Sequence, residues 1–101
     1  MTDIETIRGK WRIEGFDCTF WEDPPRKVWS DLVDPRDERV LVLSGVLEVW
    51  MEGREPVVLR AGDEVFIPAN VRHGSRVLST EPVQLLFGYR VEEKNADSGT
   101  E

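Results

Sequence analysis

The 101-residue chain contains one histidine, His73, and one cysteine, Cys18. An imidazole titrates near neutrality, so His73 can give or take a proton or ligate a metal. It closes the run Leu59-Arg-Ala-Gly62-Asp63-Glu-Val-Phe-Ile67-Pro68-Ala-Asn70-Val-Arg-His73-Gly74. Gly62-Asp63 signals a turn and Glu64 to Ile67 a short strand. Pro68 ends that strand because it cannot donate to a sheet ladder. Asn70 tolerates a left-handed turn, which leaves His73 opening the next strand. The groups able to work beside an imidazole are carboxylates: Glu38, at the head of an apolar run, with Asp31 and Asp34 shortly before it.

The elements that must position these groups read as strands separated by turns, with no convincing helix. Lys10 to Glu14 and Asp17 to Trp21 are short runs split at Gly15. Glu22-Asp-Pro24-Pro25 breaks the chain, and Lys27 to Leu32 is a further strand. Asp34-Pro35-Arg-Asp37 is a charged turn. Glu38 to Ser44, Gly45, and Val46 to Glu52 form the strongest pair, rich in β-branched and large apolar residues. Pro56 to Arg60 reads as an edge strand and Glu64 to Ile67 follows. His73 to Leu78 and Val83 to Val91 come last, joined by Ser79-Thr-Glu-Pro82. Short strands at this spacing predict an all-β sandwich or barrel. Residues 1–91 are expected to form one domain, and 92–101, which lack large apolar residues, a disordered acidic tail.

The spacing Gly62, five residues, Pro68, one residue, Asn70, two residues, His73 resembles the second signature motif of the cupins, with Asn70 where that family usually has glycine. Glu38, six residues and Gly45 match the second half of the first motif. The two histidines that should precede Glu38 are absent. Their places fall on Leu32 and Asp34, or on Asp31 and Val33, depending on a one-residue gap. The resemblance, from about Trp29 to Tyr89, implies a small cupin β-barrel, or jelly roll, of eight to ten strands, and a homodimer.

The family's full ligand set is three histidines and a glutamate. This chain can offer His73, Glu38 and Asp34 (or Asp31), which would suit a divalent zinc, iron, manganese or nickel ion only weakly. The competing reading is that Glu38 and His73 hydrogen-bond each other inside a polar cavity, with or without water. Period-two alternation extends the cavity. Glu38 brings Val40 and Val42 inward, His73 brings Ser75 and Val77, and the more apolar face of the last strand brings Leu85, Phe87 and Tyr89. Arg72 and Arg76 then face outward. The candidate ligand-binding residues are His73, Glu38, Trp29, Phe87 and Tyr89, with His73 and Glu38 as the catalytic pair if there is catalysis.

Trp11, Trp21, Trp29 and Trp50 all fall on strand candidates. Trp29 near the cavity rim could stack on a sugar or aromatic ligand, with core packing as the competing reading. Leu47, Val49 and Met51 facing inward would put Trp50 outside, covered by the N-terminal segment or by a second copy. Arg26, Arg36, Arg39 and Arg54 read as solvated charges, and Cys18 as a small buried hydrophobe.

A formal net charge of −7 and a pI near 4.7 argue against nucleic acid and anionic membrane surfaces as partners. No basic region followed by an apolar stretch opens the chain and no apolar run is long enough to span a bilayer, so the cytoplasm is the expected location. Cupins host many unrelated activities. The sequence therefore supports a barrel that holds a small polar or sugar-like ligand. The alternatives are a metal-dependent oxygenase or isomerase, a metal-free isomerase or epimerase with His73 as base, or a purely structural partner.

Overall fold

The computed structural model describes residues 3–92. Among the described residues one helix, α1 (Ile4–Ile13), precedes eight strands: β1 (Thr19–Asp23), β2 (Val28–Leu32), β3 (Glu38–Ser44), β4 (Leu47–Met51), β5 (Val57–Leu59), β6 (Glu64–Ile67), β7 (His73–Val77) and β8 (Val83–Tyr89). The strands form two antiparallel four-stranded sheets, ordered β1-β8-β3-β6 and β2-β7-β4-β5. This is the expected jelly-roll arrangement.

The helix corrects the expectation of a strand over Lys10 to Glu14. Asp3 caps it, its carboxylate accepting from the backbone N–H groups of Glu5 (3.1 Å) and Thr6 (3.4 Å). Gly15, at φ 93°, ends it. The Gly15 N–H donates to Arg12 O and the Phe16 N–H to Trp11 O, the paired bonds of a Schellman motif that a residue with a Cβ would strain. Ile4, Ile7 and Trp11 recur at helical spacing and pack with Phe16, Leu86, Leu41, Leu43 and Cys18. The helix therefore covers the outer face of the β1-β8-β3-β6 sheet. Arg39 holds it there. Its guanidinium lies 4.5 Å over the Trp11 ring and bonds Glu64 and Glu14, so this arginine is a packed tie and not a free surface charge. Cys18 is half-buried in the same cluster, and burial pushes its thiol pKa up.

Between the sheets, Val40, Val42, Val83, Leu85 and Ile67 from one face meet Leu47, Val49, Met51, Leu59 and Val77 from the other. Trp50, in register with Gly74, lies on the outer face of the second sheet, as alternation requires. A Cβ on Gly74 would come within 2.5 Å of the Trp50 ring and of Trp29 O. The glycine lets the indole lie flat on the sheet. The N-terminal segment packs on the opposite sheet, so it does not cover Trp50. The expected tail beyond Glu92 lies outside the described residues.

Candidate functional site

A cavity of about 320 Å³ opens between the sheets. Glu38 reaches it from the first residue of β3 and His73 from the first residue of β7. Both side chains are buried. Asn70, at φ 66°, makes the left-handed turn that aims β7, and its N–H donates to Asp34 O at 2.7 Å. Val40, Leu47, Val49, Ile67 and Leu85 supply apolar wall, and Phe87 and Tyr89 line it as alternation from Leu85 requires. Tyr89 is pushed up to about 12, by burial first and then by the Glu38 charge, so its phenol stays protonated.

His73 Nδ1 lies 2.9 Å from Val71 O. A carbonyl only accepts, so Nδ1 carries a proton and Nε2 is turned into the cavity. Nε2 sits 3.3 Å from Glu38 Oε1, yet Oε1, fully buried, accepts no aligned hydrogen bond. In neutral His73 the Nε2 lone pair faces a carboxylate lone pair. The contact becomes favourable when a proton lies between them. Glu38 accordingly raises the His73 pKa above its ordinary 6.5, outweighing burial, with the Val71 carbonyl and the more distant Asp34 adding to the effect.

The third candidate donor does not join them. Asp34 is clasped by Arg36, whose Nε and Nη2 donate to its two oxygens at 2.9 and 3.1 Å. Arg36 in turn lies 4.2 Å over the Tyr89 ring. Asp34 thus positions an arginine against the cavity wall, and Arg36 is not a free solvated charge.

Asp31 is turned away by a bulge. Trp29 pairs with Ser75 and Leu32 with His73, so β2 spends one residue more than β7. Asp31 takes φ 58° and its side chain is exposed, 3.8 Å from Arg72. Without the bulge Asp31 would stand opposite His73; with it, Leu32 does, and Leu32 lines the cavity. A resident zinc-type transition metal needs three or four converging protein donors. Here two converge, and among the described residues no group of three or more His, Cys, Asp or Glu side chains could hold a metal ion. The donor set present does not fit a resident metal.

A second polar group lines the cavity. Asp23, the last residue of β1, is 4% exposed. Its Oδ1 accepts from Trp21 Nε1 (2.9 Å) and Trp29 Nε1 (3.1 Å), stitching β1 to β2 where the two sheets share no ladder. Both indoles line the cavity and stay partly exposed. Asp23 was hidden in the sequence by Pro24, which made it read as a turn residue. The signal for it was alternation from Trp21.

A family model described as "Cupin domain" matches residues 20–89. No curated protein matches the chain. Among solved structures, a conserved Streptococcus pyogenes protein of unknown function is 22% identical, with a TM-score of 0.66 over 78% of this chain and 67% of its own. The DMSP lyase DddQ of Ruegeria pomeroyi is 26% identical, with a TM-score of 0.70 over 79% of this chain and 40% of its own. An oxalate oxidase is 20% identical, with a TM-score of 0.69 over 77% of this chain and 43% of its own. The chain thus spans about two fifths of the two enzymes it resembles, and their activities differ from each other.

Proposed function

The chain belongs to the cupin family, and on that premise we propose that it holds a small polar ligand in the barrel cavity, with a donor group of the ligand meeting the Glu38–His73 pair from the cavity side. One observation carries the reading: a fully buried carboxylate oxygen beside an imidazole, without a hydrogen-bond partner of its own. A buried acceptor left bare costs about 1–3 kcal/mol, and a ligand N–H or O–H removes that cost. The apolar walls and few polar groups are the usual make-up of a small-molecule site, and about 320 Å³ is at the small end of the range. Trp29, at the rim, offers a face for a ring or an alkyl group to stack on.

A thermal-shift panel of sugars, amines, polyols and keto acids, run with EDTA present, tests this. A ligand at a hundredfold excess over its Kd stabilises by about 2.7 kcal/mol, worth several degrees in a domain of this size. At least one class should do so, and His73→Ala should abolish the effect. No shift with any class, in both proteins, contradicts the reading.

A second reading gives the same pair a reaction. With Nδ1 pinned by Val71 and Nε2 facing Glu38, His73 is placed as a general acid–base for an isomerisation or epimerisation. Turnover of a bound ligand, lost in Glu38→Gln while binding survives, would separate it from a pure binder.

A further inference from the structure

The proposed ligand site carries a charge signature of its own. Two buried carboxylates, Asp23 and Glu38, face a cavity whose only nitrogen base is His73, and among the described residues no lysine or arginine lines it. The lining thus sets two carboxyl groups against a single imidazole. Such a space disfavours carboxylates and phosphates and favours a cation.

The Asp23 end is also built of aromatic rings. An indole N–H lies in its ring plane, so bonding of both Nε1 groups to Asp23 Oδ1 does not use the π faces, although Lys27 covers one face of Trp29. Phe87 meets Trp21 edge-on at 6.3 Å between centroids, closing one side. The Trp29 ring already attracts an ammonium: Lys27 Nζ stands 4.3 Å from its centroid, and Lys27 is not part of the cavity wall. Both indoles are partly exposed, so a cation over them gains what cation–π contacts give at a site still open to water.

We propose that the cavity selects an organic cation, an alkylammonium or other onium group seated against Asp23 between the indoles of Trp21 and Trp29, with the ligand's polar end reaching the Glu38–His73 pair. Trp29 pairs with Ser75, two residues along β7 from His73, so the two ends stand about 7 Å apart along that strand. That span suits a short chain with an onium group at one end and a hydroxyl or amine at the other. The inference rests on the reading that the cavity binds a small ligand and names that ligand's charge.

Choline and its uncharged isostere 3,3-dimethyl-1-butanol test it, with oxalate as the anion. Binding is read from tryptophan fluorescence and from the indole N–H signals of Trp21 and Trp29, assigned by Trp21→Phe and Trp29→Phe. The expected result is choline binding at least tenfold tighter than the isostere, with both indole signals moving and oxalate without effect. Asp23→Asn, which can still accept from the indoles, should weaken choline about tenfold and leave the isostere within about twofold. Should Asp23→Asn not fold, Trp29→Leu, which keeps the carboxylate and removes a π face, should produce the same selective loss. Equal binding of choline and the isostere, or preference for oxalate, overturns the inference while leaving the ligand site standing. Silence of every probe at His73 and at both indoles overturns the ligand site and the inference together.

Discussion

His73 Nε2 stands 3.3 Å from Glu38 Oε1 while Nδ1 on the other side of the ring is committed to Val71 O. The ring is therefore fixed in orientation and its free nitrogen is aimed at a carboxylate, so the protonation state of one residue decides whether the centre of the cavity attracts or repels itself.

The pair should make stability pH-dependent. The folded-state pKa of His73 is raised above 6.5, chiefly by Glu38. The added stability is fully present below the unfolded value and is lost as pH rises through the folded one. In Glu38→Gln the chief cause is gone, and the single imidazole should titrate at lower pH. An NMR titration of the one histidine checks this: the two proteins should differ in midpoint, with wild type higher, and coincident midpoints contradict it.

Metal uptake should be created by one substitution. Leu32 faces His73 across β2 and β7 and lines the cavity, so Leu32→His adds an imidazole beside the existing nitrogen and carboxylate donors. Wild type should keep no stoichiometric zinc after dialysis, and the variant should keep about one ion per chain. Elemental analysis of protein purified without a metal-affinity tag is the measurement. Stoichiometric zinc in wild type would contradict the two-donor account.

The helix should matter to stability more than its length suggests. Trp11 is 3% exposed and sandwiched between the sheet and Arg39, so Trp11→Ala should cost about 3–5 kcal/mol. Asp3→Ala, which removes the cap, should cost about 1 kcal/mol. Urea denaturation measures both, and a Trp11→Ala loss no larger than that of Asp3→Ala would contradict the packing described.

Much of the fold was legible because strand signals depend on local pattern. Glu38–Ser44 and Glu64–Ile67 lie where their β-branched runs and flanking turns put them, and Phe87 and Tyr89 line the cavity where alternation from Leu85 places them. The helix was missed because Gly9 and the polar residues around it dilute the Ile4, Ile7, Trp11 spacing, although the Asp3 cap and Gly15 stop were present in the sequence. The bulge in β2 could not be read, since it depends on pairing with β7, and it alone exchanges Asp31 for Leu32 beside His73. Arg36 and Arg39 looked like surface charges because their aromatic partners, Tyr89 and Trp11, are distant in sequence. Asp23 was missed because Pro24 made it read as a turn residue, although both of its indole partners lie close by in sequence.

The proposed function seats a ligand on the Glu38–His73 pair without a metal. It is tested most directly by the 15N shifts of the His73 ring nitrogens, recorded in EDTA while a stabilising ligand from the thermal-shift panel is titrated. On binding, Nε2 should move, and Nδ1, bonded to Val71, should move little. An Nε2 signal that stays still, or that moves only after a divalent metal is added, would contradict it.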